Sequence, residues 1–157
     1  MTIPRRFAIE LLPDLDWVEL RRRVIHAEEL GFDVATTADQ FVDWKNPTVP
    51  WFDPWTTLAA YAEATSTIRL APYVAQIPMR DPATLARAVV AIDNISGGRA
   101  EIGLGLGLTV DPGYDMVGAP NWDNRERADR FGEYLAIGDQ LLTDATCSFA
   151  GESYRVA

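Results

Sequence analysis

The chain has one cysteine and one histidine in 157 residues. Cys147 has no partner for an internal disulfide, and with His26 as the lone imidazole no Cys/His cluster can assemble around zinc, so no metal site is expected. Long apolar runs are missing too. No stretch approaches the about 18 apolar residues of a membrane-spanning helix, and the opening Met1-Thr2-Ile3-Pro4-Arg5-Arg6 lacks the apolar core of a secretion signal. Basic charge is scarce: 14 Lys and Arg stand against 23 Asp and Glu, a formal charge of −9, which argues against nucleic acid or an anionic membrane as partner. A reducing, cytoplasmic setting is the expectation that follows.

What is present is the material of an ordinary folded domain, 48% hydrophobic and 24% charged with five tryptophans. Phe7 to Leu12 alternates as a short strand, with Phe7, Ile9 and Leu11 on one face and Ala8 and Glu10 on the other. Asp16 and Glu19 have the spacing of a capping pair, opening a helix through Leu30 whose apolar stripe is Trp17, Leu20, Val24, Ala27 and Leu30. A second strand, Phe32 to Thr37, leads into Ala38-Asp39-Gln40-Phe41. Val42 to Phe52, with two prolines and the aromatics Trp44, Trp51 and Phe52, reads as a covering loop.

Asp-Pro at 53–54 and again at 81–82 starts two further helices, because proline at the first helical position sacrifices no needed hydrogen bond. Between them lies a third strand, Ile68 to Val74, and a short loop, Ala75 to Arg80. The helix from Pro82, with Leu85, Val89 and Ile92 inward, ends at Gly97-Gly98, a left-handed stop that favours glycine. Ala100 to Leu106 is a fourth strand in which Gly103, Gly105 and Gly107 alternate with larger residues, as though something must approach the backbone closely. Leu108 to Asn121 is loop, Asp123 or Asn124 caps a fourth helix through Leu142 with Phe131, Leu135 and Leu142 inward, and Thr146 to Val156 is a hairpin. Four strand-then-helix units predict a parallel sheet with its functional loops at the carboxyl ends of the strands.

Ser96-Gly97-Gly98-Arg99 followed by Gly103-x-Gly105-x-Gly107, with Asp39 after the second strand and Arg80-x-Pro82 after the third, resembles the luciferase-like monooxygenase family. That family includes bacterial luciferase, flavin-dependent monooxygenases and oxidoreductases of the deazaflavin coenzyme F420. Asn124-x-x-x-Ala128-x-x-Phe131-x-Glu133-Tyr134 and Phe149-x-Gly151-x-x-Tyr154 extend the likeness to nearly the whole chain. The resemblance implies an eight-stranded β/α barrel, which takes about 250 residues. The chain therefore reads as a single amino-terminal half-barrel domain over residues 1–157, a parallel (β/α)4 unit completed by a second copy, a carboxyl-terminal half or further sequence.

The same resemblance implies an oxidoreductase using coenzyme F420, preferred, or FMN, for hydride transfer or monooxygenation of a small molecule. The ring would lie across the strand ends against Asp39, Gln40, Tyr73, Val74, Gly105, Leu106 and Gly107, with a non-proline cis peptide at Tyr73–Val74, and the phosphate tail would be held largely by the second half of the barrel. Deazaflavin members often carry histidine where this chain has Gln40, which exchanges no proton near neutral pH. Members also often carry threonine between the last two glycines and an acid beyond, where this chain has Leu106 and Leu108. No catalytic residue is assigned. A non-catalytic half-barrel assembly module is the alternative reading.

Several residues carry more than one reading. The glycines mark either a tightly packed strand or a ligand approach; Glu10 either lines a barrel interior and a substrate pocket or is solvated in an incomplete barrel. Trp44 and Trp51 are candidates for the substrate pocket, for an aromatic minicore or for a partner-facing patch. Arg99 is expected to anchor its turn by a salt bridge, and Arg80 to meet a phosphate or carboxylate.

Overall fold

An aspartate opens each of the four long helices, and its carboxylate accepts from the first backbone N–H groups, which have no partner inside the helix. In the computed structural model, which describes residues 5–157, Asp16 caps α1 (Trp17–Glu29), Asp53 caps α2 (Pro54–Ala64), Asp81 caps α3 (Pro82–Ser96) and Asp123 caps the carboxyl-terminal long helix. The cap bonds are 2.8–3.0 Å, to the N–H of Glu19, Thr56, Thr84, Arg125 and Glu126. Each cap contributes about 1 kcal/mol. Glu19 does not complete a reciprocal box, because its carboxylate is taken by Arg22 and Arg23 on the next turn. Residues 1–4, which were read above for an export signal, lie outside the described part.

The strands are parallel, as the strand-helix alternation requires. β1 (Ala8–Glu10) pairs with β2 (Val34–Thr37) in the register Ala8↔Val34, and β2 pairs with β3 (Arg69–Pro72) in the register Val34↔Arg69. The third predicted strand is interrupted after Pro72, and the Tyr73–Val74 peptide within the interruption is cis. It resumes as β4 (Ala75–Gln76) and runs into a 3-10 turn, Ile77–Met79, so the segment read as a plain loop is in part a strand. β4 pairs with β5 (Leu104–Gly105), and a single bridge joins Leu70 to Ala100. The predicted fourth strand thus touches its neighbour at both ends, with Glu101 to Gly103 outside the ladder.

The helices cover one face of this sheet. Their core joins Leu20 and Val24 of α1, Leu58 and Tyr61 of α2, and Leu85, Val89 and Ile92 of α3 to Leu11, Ala35 and Leu70 from the strands. Beyond β5 the predicted loop holds a short helix, α4 (Gly113–Val117), before α5 (Asn124–Thr143) and the antiparallel hairpin of β6 (Phe149–Ala150) and β7 (Arg155–Val156). Glu133 fastens that hairpin to α5 by accepting from the N–H groups of Glu152, Ser153 and Tyr154.

The inward faces differ from expectation at the margins. Leu135 and Leu142 are exposed, and the buried residues of α5 are Arg127, Tyr134 and Ile137. The helix packs on α3, and Leu135 and Leu142 border an open groove whose other wall is Leu85, Ala86 and Val89 of α3 with Ile102 and Leu104. Phe7, just before β1, is 64% exposed. Arg99 forms no salt bridge among the described residues. Its guanidinium is buried and donates to the carbonyls of Ser96, Ala62, Thr65 and Ile68 and to the Thr65 hydroxyl. The Ser-Gly-Gly-Arg stretch therefore ties the end of α2 to the end of α3, at the amino-terminal side of the sheet.

Candidate functional site

At the opposite, carboxyl-terminal side, four strand ends and one loop surround a cleft of about 430 Å³. Glu10 comes from β1; Ala38, Asp39 and Gln40 follow β2; Tyr73, Val74 and Gln76 come from the β3–β4 break; Gly105 to Leu108 follow β5; Trp44 reaches in from the covering loop. Every site residue named from the sequence except Trp51 lines it. Trp51 lies in an adjoining recess with Phe41, Phe52, Met79, Arg80 and Val117, where its indole N–H donates to the Gln40 carbonyl at 2.8 Å. It backs the cleft and does not face it.

Glu10 is exposed, on the side of the sheet away from the helices, since its neighbours Ile9 and Leu11 belong to the helix-side core. Tyr73, Leu106 and Leu108 are exposed apolar walls. The glycine spacing has a specific steric cause. A side chain at Gly103 would meet the Pro72 carbonyl oxygen at 2.7 Å, one at Gly105 would collide with a Val74 methyl, and one at Gly107 would strike Tyr114 and Arg127. What approaches these glycines is the chain's own Tyr73–Val74 corner and the α4–α5 side chains, and the cleft opens beside that contact.

Beneath the cleft lies a buried polar cluster. Asp39 is 3% exposed and accepts from Arg80 Nη1 at 2.7 Å and from the Gln76 backbone N–H at 3.1 Å. Burial pushes its carboxyl up to about 6, against the downward pull of Arg80 and the Gln76 N–H. Arg80 also donates to Asp53, the cap of α2, at 2.6 Å and sits over the Trp55 ring, so its charge is spent on structure. Arg127 is 1% exposed and holds the Leu106 carbonyl at 2.9 Å, the Trp122 carbonyl at 2.8 Å and Asn121 at 2.6 Å.

Gln76, Asp111, Tyr114 and Arg127 were not singled out from the sequence. The only signal they carried was their polarity in segments otherwise read as loop or helix surface, which is the commonest place for polar residues and so points nowhere. Several polar groups on the cleft have no partner among the described residues, the Glu10 carboxylate and the Tyr73 hydroxyl among them. The Gln40 side chain has no hydrogen bond among the described residues, and the Trp44 indole N–H is buried without a partner. A flat ligand with apolar faces and an amide-like edge fits such a lining, because Tyr73, Val74 and Leu106 offer surface while Gln40 and Trp44 offer polar contacts.

The family model described as luciferase-like monooxygenase matches residues 1–157, and the chain belongs to that family. The 5,10-methylenetetrahydromethanopterin reductase of Archaeoglobus fulgidus is 32% identical over 150 residues, 96% of this chain and 41% of that protein. The solved coenzyme F420-dependent tetrahydromethanopterin reductase of Methanopyrus kandleri superposes with a TM-score of 0.80 at 28% identity, over 97% of this chain and 44% of that one. The oxygenating constituent of 3,6-diketocamphane monooxygenase from Pseudomonas putida, solved with FMN, shares the fold at a TM-score of 0.78 and 21% identity, over 96% of this chain and 43% of that one. The chain spans less than half the length of each of these relatives. Its fold is a partial α/β barrel.

Proposed function

We propose that the chain supplies the amino-terminal side of a ring-binding oxidoreductase site, with coenzyme F420 as the preferred cofactor and FMN as the alternative. The observation that carries this reading is the lining of the strand-end cleft: apolar walls from Tyr73, Val74 and Leu106, with the half-exposed Gln40 amide and the buried, unpartnered Trp44 indole beside them. In this reading Gly105, Leu106 and Gly107 form the floor, Tyr73 and Val74 back the ring, and Asp39 and Gln40 face its polar edge. Glu10 and Trp44 border the space left for a small-molecule substrate. The bound ring supplies the hydride or oxygen chemistry. The protein's part is to orient ring and substrate and to exclude water. Gln40 contributes hydrogen bonds and no proton transfer, since an amide does not titrate.

The preference for the deazaflavin follows the likeness to the F420-dependent reductase of Methanopyrus kandleri, at 28% identity. The remainder of the site is assigned to a partner for the free edges of β1 and β5, either a carboxyl-terminal half or a second copy. Those edges, together with the exposed Phe7, Leu135 and Leu142, favour a second reading, a half-barrel assembly module without catalysis. Titration of the chain with oxidised and reduced F420 and with FMN, followed by ring fluorescence, separates the two. Saturable binding that is lost on filling the cleft with Leu106→Trp is expected. No binding of any of the three rings, together with a stable homo-oligomer in solution, overturns the enzyme reading for this polypeptide.

A further inference from the structure

Gln76 holds the cleft with both its backbone and its side chain. Its N–H donates to Asp39 Oδ2 at 3.1 Å, and its Nε2 donates to the Asp39 carbonyl at 2.9 Å and to Asp111 Oδ2 at 3.1 Å. Its Oε1 accepts from the Tyr114 hydroxyl. That hydroxyl in turn accepts from the Leu108 N–H at 3.2 Å, and Arg127, stacked 5.1 Å from the Tyr114 ring, holds the Leu106 carbonyl. One amide thus joins the end of β2 to the segment beyond β5, the two sides of the cleft that it also lines.

The chemistry of the position is narrow. Two acceptors and one hydroxyl donor converge where exposure is 8% for Gln76, 4% for Asp111 and 0% for Tyr114. A carboxylate cannot donate to the two acceptors, an apolar side chain can do neither, and turning the amide over would set its oxygen against both Asp39 and Asp111. Only a neutral amide in one orientation satisfies the set. The charged groups around Asp39 are Arg80 on its Oδ1, Asp53 beyond Arg80, and Asp111 across the Gln76 amide.

We propose that Gln76 is a positioning residue, whose amide locks Asp39 and the Leu106–Leu108 segment into one mutual geometry and so sets the width of the cleft for the ring. The proposal rests on the ring-binding reading above. Arg127 and Tyr114 brace that geometry from behind, and Asp39 faces the ring only as accurately as Gln76 holds it.

Two variants of the full chain test this. Gln76→Met keeps the side-chain length and adds no charge. The Asp39 main-chain carbonyl carbon, which loses the Nε2 donor, is expected to move in the carbon-13 NMR spectrum, and F420 or FMN is expected to bind about tenfold more weakly. Gln76→Glu combined with Asp111→Asn restores the bond between those two positions with reversed polarity but gives the Asp39 carbonyl no donor. It is expected to recover most of the thermal stability lost in Gln76→Met while still binding the ring weakly. A double variant that binds as tightly as wild type overturns the proposal, because stability alone would then account for the effect. A wild-type chain that binds neither ring refutes the ring-binding reading. The NMR spectrum then decides the positioning role, and an unmoved Asp39 main-chain carbonyl carbon in Gln76→Met overturns it.

Discussion

Asp39 and Arg80, 41 positions apart in the chain, meet at 2.7 Å beneath the cleft, and Arg80 carries the contact on to Asp53 at 2.6 Å. The carboxylate after the second strand, the segment after the third and the cap of the second helix are thereby joined by one guanidinium. Arg80 was expected from the sequence to meet a phosphate or a carboxylate. It meets two carboxylates of its own chain, which leaves the cleft side of Asp39 governed by burial.

That burial gives Asp39 a pH signature. With the folded carboxyl up at about 6 against an ordinary 3.8, the folded chain keeps between those values a proton that the unfolded chain has released. This group therefore favours folding most below about pH 4 and loses that contribution as pH rises through 6. The loss amounts to about 2–3 kcal/mol. Asp39→Asn should remove the slope, so urea unfolding of the two proteins should differ more at about pH 7.5 than at about pH 4. Equal differences at both pH values would refute the assignment.

Glu28 should show the opposite sign. Burial pushes its carboxyl up, but the N–H groups of Ile68, Thr67 and Ser66, at 2.6–2.9 Å, outweigh this and hold it at about 2. A depressed carboxyl stabilises the fold above its unfolded value and loses that contribution as pH falls towards 2. Glu28→Gln should cost about 1–2 kcal/mol at neutral pH, with the two stability curves converging in acid. Hydrogen exchange at Thr67 and Ile68 should quicken in the variant.

Arg99→Lys should destabilise the chain by about 2–4 kcal/mol, because an ammonium cannot reproduce a planar fork that serves four carbonyls and a hydroxyl. Arg99 lies at the amino-terminal side of the sheet, so ring affinity per folded molecule should stay at the wild-type level. A selective loss of ring binding with unchanged stability would reverse this division of labour.

Gly105→Ala should cost about 1–3 kcal/mol through overpacking against Val74. Val74→Ala in the same chain should recover most of it, since the colliding methyl is then gone. Denaturant midpoints of the two single variants and the double variant form the cycle, and additive losses would show that Val74 is not what excludes a side chain at position 105.

The elements legible in the sequence were those written in local chemistry. Asp16, Asp53, Asp81 and Asp123 mark helix starts because a short carboxylate reaches only the N–H groups two or three residues on, and Asp-Pro at 53–54 and 81–82 needs nothing distant to be read. The end of the second strand could be placed in the same way, whereas the assignment of Asp39, Gln40, Tyr73, Val74 and the 105–107 segment to a site came from the family resemblance, and the third strand stops at Pro72, two residues before its expected end. Polar residues inside loops could not be ranked. Gln76 looks like any loop glutamine until its partners, Asp39, Asp111 and Tyr114, are brought in from 35–38 positions away.

The sequence by itself determined the number and order of the strand-helix units, the caps that start each long helix and the membership of a family, because these depend on neighbours within one turn or on a shared motif. Tertiary structure alone decided which side of each element is covered and what the glycines are for. Whether Leu135 faces a core or Arg99 finds a carboxylate depends on which chain segment arrives opposite, and spacing along the chain does not encode that. The glycines of 103–107 illustrate the division. Their spacing announced a close approach, and only the packed corner at Tyr73–Val74 and the side chains of Tyr114 and Arg127 identify what approaches.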